Sequence, residues 1–147
     1  MNRVTLLLSV IVLSASACTS IKVTQLKQEE IKEICIRKNP QSHKPLEETI
    51  AASFARYGVQ SRIVSGDTPA DCTNILTYSA YWSWDVVPFM RAMEMRIWNY
   101  EREIAKASFH MRGGGGLAMT KWKKAETKID ETVDRMFGIT TTSSDND

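Results

Sequence analysis

Residues 72–85, CTNILTYSAYWSWD, alternate apolar and polar side chains over a longer run than any other stretch of the chain. Leu76, Tyr78, Ala80, Trp82 and Trp84 fall on one parity and Thr77, Ser79, Tyr81 and Ser83 on the other. A period of two places successive side chains on opposite faces of a strand, so this segment predicts a long strand with one buried face. That parity sends Trp82 and Trp84 inward with Leu76 and Tyr78, as core rather than as a binding platform, and leaves Tyr81 exposed.

Downstream, VVPFMRAMEMRIW repeats the alternation, with Phe89, Met93, Met95 and Ile97 on one side and Ala92, Glu94 and Arg96 opposite. Pro88 lacks a ladder donor, which fits a strand beginning or a bulge. After a turn at NYER, Ala105, Ala107, Phe109 and Met111 alternate with Ile104, Lys106, Ser108 and His110. Three such runs in succession predict an antiparallel meander. Upstream, EICIR ends at Asn39-Pro40 as a strand and turn, while Leu46, Ile50, Phe54 and Tyr57 share a helical face closed by Gly58. VQSRIVS follows as a strand, which makes a β-α-β unit with parallel strands. Near the end of the chain, Trp122, Ala125, Ile129, Val133 and Met136 form a helical stripe that Gly138 terminates. The expected order is therefore β-α-β-β-β-β-α. It describes an α/β (α+β) two-layer sandwich, with a mixed, mostly antiparallel sheet of about five strands and two helices on it.

The N-terminus belongs to something else. Met-Asn-Arg precedes VTLLLSVIVL and SASA, a positive start, a short apolar run and a small-residue exit. This is an export-signal pattern, too short for a membrane span of about 20 residues. Residues 1–17 are thus read as a signal peptide, 18–30 as a lipidated N-terminus and polar tether, 31–138 as one domain, and 139–147 as a disordered tail without packing residues beyond Ile139. A formal charge of +2 with interspersed signs gives no electrostatic case for nucleic acid.

Ala15-Ser16-Ala17-Cys18 resembles the lipobox of bacterial lipoproteins, although Leu13 and not residue 15 carries the leucine. With the tether, CIRKNP, CTNILTYSAYWSWD and KWKKAETKIDETVDRMF, the chain is similar to small lipoproteins of proteobacteria. That resemblance implies a diacylglyceryl thioether on Cys18, a membrane partner reached through the lipid, and, with Thr19 rather than Asp following, the outer membrane facing the periplasm. Two or three acyl chains anchor almost permanently, where one binds marginally.

Cys35 and Cys72 then remain in an oxidising compartment, where they are expected to form a disulfide that closes a 37-residue loop. Cys35 is out of phase with Ile34 and Ile36, and Cys72 in phase with Leu76, so simple alternation does not put both thiols on one face. A metal site has few ligands to draw on, with His43 and His110 in no ligand spacing. No cofactor or metal is expected.

Candidate sites are few. The solvent side of the sheet, with Tyr81, Glu94, Arg96 and His110, is the expected partner surface, against the simpler reading of a solvated face. The Gly113–Gly116 loop, particularly Gly114 and Gly115, precedes Lys121 and has the ingredients of an anion site, against a flexible connector. Ser108 and His110 share a face, but same-face neighbours lie nearly 7 Å apart, beyond hydrogen-bond reach. The methionines read as core filling, not copper ligands. The expected function is a non-enzymatic binding or envelope-assembly domain, with a small hydrolase or ligand carrier near the glycine loop as the alternative.

Overall fold

Burying the apolar parity of three consecutive strands requires that their like faces line up, and the register does this. In the computed structural model, which describes residues 19–27, 31–111 and 122–140, β4 (Asn74–Asp85), β5 (Val87–Asn99) and β6 (Arg102–Met111) form the antiparallel meander. Leu76 pairs with Ile97 and Ile97 with Ala105, Tyr78 with Met95 and Met95 with Ala107, and Ala80 with Met93 and Met93 with Phe109. All of these except half-buried Ala80 are buried. The β5–β6 turn is the two residues Tyr100-Glu101, with Tyr100 at φ 53°.

A bulge changes the parity of β5. Tyr81 pairs with Ala92 but Trp82 with Met90, so Arg91 is an extra residue. Beyond it Met90, not Phe89, joins Met93 on the buried side: Met90 is 1% exposed and Phe89 only partly buried. The expectation that Phe89 lines up with Met93 is therefore corrected, because strict alternation cannot register an inserted residue. Trp84 is corrected as well. Trp82 is partly buried against the core, but Trp84, which pairs with Pro88 near the hairpin end, stands 72% exposed.

β2 (Glu33–Arg37), α1 (Glu47–Ala55) and β3 (Gln60–Val64) form the expected unit, with β2 and β3 parallel from Glu33↔Gln60 to Arg37↔Val64. Gly58, at φ 74°, takes the left-handed exit after α1. β2 also joins the meander in parallel, through Cys35↔Ile75 and Ile36↔Leu76. α2 spans Ala125–Met136, with Ile129, Val133 and Met136 fully buried, while Trp122 lies ahead of the helix and is 36% exposed.

The sheet has six strands, not about five. β1 (Thr19–Val23), in the segment expected to be a polar tether, pairs antiparallel with β6 from Thr19↔Met111 to Val23↔Ala107. Ile21 and Val23 fall opposite Phe109 and Ala107, so this short alternation has an apolar parity that matches the strand beside it. Leu26 is buried and its amide donates to the Met136 carbonyl at 2.7 Å, which ties the same segment to the end of α2. The strand order is β1-β6-β5-β4-β2-β3.

Both helices cover one face, which makes the expected two-layer sandwich. Tyr57 stacks on Phe137 with centroids 4.1 Å apart, and Asp134 accepts from Arg56 at 2.7 Å and from the Tyr57 hydroxyl at 2.6 Å. Burial first, and then the Asp134 hydrogen bond, push the Tyr57 pKa up to about 12. Glu47, buried at the start of α1, accepts the Tyr78 hydroxyl at 2.9 Å and so joins the first helix to the sheet.

Candidate functional site

The face opposite the helices is where the register gathers the sequence-selected residues. Tyr81 pairs with Ala92 and Ala92 with His110, while Glu94 lies between Ser79 and Ser108, and Arg96 between Thr77 and Lys106. Tyr81, Glu94, Arg96 and His110 therefore share one surface, but they do two different things on it. Glu94 Oε1 takes the Arg96 Nε at 2.7 Å and Glu94 Oε2 the Lys106 Nζ at 2.9 Å, while Arg96 Nη1 reaches Glu103 at 3.4 Å. Partial burial alone would raise the Glu94 pKa, but hydrogen bonds from Lys106 and Arg96 outweigh it and hold the carboxyl below its ordinary range. Such half-exposed pairs add little stability, yet they neutralise the middle of the face. Trp98 completes this floor by donating its Nε1 to the Thr77 hydroxyl at 3.2 Å.

Tyr81 and His110 stand above it. Tyr81 is 64% exposed and His110 is also exposed, and only Ala92 lies between them. Two strand spacings separate them by about 9.6 Å, which leaves a shallow slot floored by a methyl group. A phenol and an imidazole at that separation can grip a ligand from two sides. They cannot pass a proton directly, which needs about 3 Å.

The disulfide explains its own parity problem. Cys35 and Cys72 are bonded, with Cα atoms 5.9 Å apart. Cys72 precedes β4 rather than beginning it, so strand alternation does not govern it, and the bridge lies on the outer face with Val64 and Ile75. Arg62, which the sequence did not single out, spans this corner: its Nη2 is 3.1 Å from Cys72 Sγ and 2.8 Å from Asp71. The Arg62 hydrogen bond holds the Asp71 carboxyl below its usual value. Together with Asn74 and Glu33 they line an open depression of about 660 Å³.

A third feature lies at the opposite end of the sheet. Leu46 and Thr49 at the start of α1, Trp122 and Lys124 at the start of α2, and Trp82 and Phe89 from the hairpin line a cleft. The Lys44 ammonium sits 4.9 Å from the Trp82 ring centre, and Lys123 pairs with Glu131 at 3.1 Å. Gly113–Gly116, with Gly114 and Gly115, and Lys121 lie outside the described residues, as do Cys18 and residues 141–147.

Lys128 was also missed. It is 2% exposed on the buried side of α2, and its Nζ donates to the Met90 carbonyl at 2.9 Å beside the Arg91 bulge. The Phe109 ring centre is 5.5 Å away. Burial, against the attraction of Glu131, pushes its pKa down to about 8. Three residues after Ala125 and four before the buried Thr132, it was readable as a stripe residue, but charge type outweighed position.

The chain matches no family model and no curated protein. Among solved structures it resembles a PelC dodecamer from Paraburkholderia phytofirmans, with a TM-score of 0.53 and 11% identity, over 81% of this chain and 94% of that one; the likeness shows a common fold.

Proposed function

We propose that this chain is a lipoprotein of the bacterial envelope, held through Cys18 in the outer membrane and facing the periplasm, whose domain works by binding and not by catalysis. The observation that carries the binding reading is the open outer face, where Tyr81 and His110 rise from a charge-neutralised floor of Glu94, Arg96, Lys106 and Glu103. Such a floor offers shape without a strong field, which suits a protein or cell-wall partner gripped by aromatic and polar contacts. The anchor reading is supported by the lipobox-like residues ending at Cys18 and by a folded strand that starts one residue later. No helix among the described residues is long and apolar enough to cross a membrane, so attachment would rest on the lipid. The PelC structure is a dodecamer. Self-association is accordingly a form of partner to test, and light scattering of the mature chain at the monomer mass would remove it.

Palmitate labelling followed by mass spectrometry of the mature N-terminus tests the anchor. The expected result is a diacylated Cys18 and loss of membrane attachment in Cys18→Ser; an unmodified N-terminus overturns it. For the face, a photocrosslinking residue at Tyr81 is expected to give a discrete adduct in intact cells that Thr127, exposed on α2, does not. Equal labelling from both positions would reject the face.

A further inference from the structure

The β4–β5 hairpin ends in an apex of exposed apolar side chains. Trp84 is 72% exposed, Val86 79% and Val87 48%. Val86 also sits at φ 62°, in the left-handed region, where a β-branched side chain is strained and Gly, Asn or Asp are the usual occupants. A turn that breaks its own local rule in order to present a valine to solvent points to a use for that side chain.

The register says what lies opposite. β1 begins with Thr19 paired to Met111, one residue beyond the His110↔Ala92 pair, so Thr19 stands level with Met90 and Arg91. β1 runs away from the apex, so Thr19 is the residue of β1 nearest to it, and Cys18 is bonded to Thr19, about 3.8 Å from Cα to Cα. From Met90 to Val86 is four residues, or about 13 Å of strand. The apex therefore reaches about 13 Å past the level of Thr19, on the order of the depth, about 5–10 Å, to which interfacial segments bury their apolar face.

We infer that the hairpin apex, Trp84 with Val86 and Val87, seats in the lipid surface to which Cys18 is attached. The inference rests on the lipid-anchor reading above. Because β1 starts at residue 19, little slack separates anchor from domain, and this end of the sheet is held at the bilayer. Tryptophan suits the headgroup level, where its ring is apolar and its N–H finds water or phosphate. Lys44, Arg91 and Lys124 are exposed at the same end, against Glu48, Asp85 and Glu126, a balance that leaves the apolar apex to carry the contact.

The test uses the mature chain, lipidated, in vesicles of phosphatidylethanolamine and phosphatidylglycerol carrying acyl-brominated lipid. Tryptophan fluorescence is expected to be quenched, and Trp84→Phe to lose at least half of the quenched component. In parallel, the unlipidated Cys18→Ser chain is sedimented with plain vesicles. There Trp84→Ser with Val86→Gly is expected to lower partitioning at least tenfold while the same double variant keeps the parent's thermal midpoint, which shows that the loss is not unfolding. A lipidated chain whose Trp84 is untouched by brominated lipid overturns the inference and leaves the anchor intact. An unmodified N-terminus in a chain that still partitions through Trp84 overturns the anchor and leaves the apex surface standing. Trp84 shielded from aqueous quencher but not reached by brominated lipid, in a species of doubled mass, would assign the apex to a second copy and also overturn the inference.

Discussion

Cys35→Ala together with Cys72→Ala is expected to lower the unfolding free energy by about 4 kcal/mol, from the loop-closure entropy of a 37-residue separation. The position of the bridge makes the loss structural as well as entropic. The meander and the β2-α1-β3 unit meet at a short parallel ladder, Cys35↔Ile75 and Ile36↔Leu76, and the disulfide ties that junction to the loop entering β4. Val64 and Ile75, which pack on the sulfurs, would lose their partners. Guanidinium unfolding of the double variant, compared with the parent in dithiothreitol, checks this. Matching falls in the midpoint are expected, with the hairpin end less affected than β3, whose other neighbour is solvent. A midpoint unmoved by either treatment would mean that the bridge holds nothing the ladder does not already hold.

Stability is also expected to rise with pH across a window where most proteins are flat. Lys128 has a pKa of about 8 in the folded chain against the ordinary 10.5. Between those values the unfolded chain binds the extra proton, so deprotonation favours folding: the penalty is full below pH 8 and gone above 10.5. From pH 7.5 to 9.5 this amounts to roughly 2 kcal/mol of added stability. The assay stays below pH 10, where unfolded tyrosine ionises. Tyr57, raised to about 12, contributes in the opposite sense: its stabilisation is present below pH 10 and lost toward 12. Urea titrations at the two pH values are expected to show the rise in the parent and not in Lys128→Met. An equal rise in both would assign it to other groups.

Much of the architecture was legible because alternation and helical spacing are local records of which side is buried. Leu76, Tyr78, Met93, Met95, Ile97, Ala105, Ala107 and Phe109 line one sheet face, and Ile50, Phe54, Ile129 and Val133 face it from the helices, as their spacing requires. The residues of the outer face were legible for the same reason: Tyr81, Glu94, Arg96 and His110 have the opposite parity.

What the residues by themselves determined, then, is the identity of the two helices, the meander and the parallel unit, since each depends on the side-chain period of a single segment. Tertiary structure alone decided the rest. Residues 19–23 are polar enough to pass for a tether, and become β1 only because β6 has an open edge whose apolar parity matches Ile21 and Val23. Arg91 looks like one more polar residue until its insertion opposite Tyr81 and Trp82 turns Met90 inward and brings the Met90 carbonyl to Lys128. The physical reason is that register, bulges and edge pairing are relations between segments distant in the chain. A segment's own periodicity records which of its sides is dry, but not which neighbour makes it so.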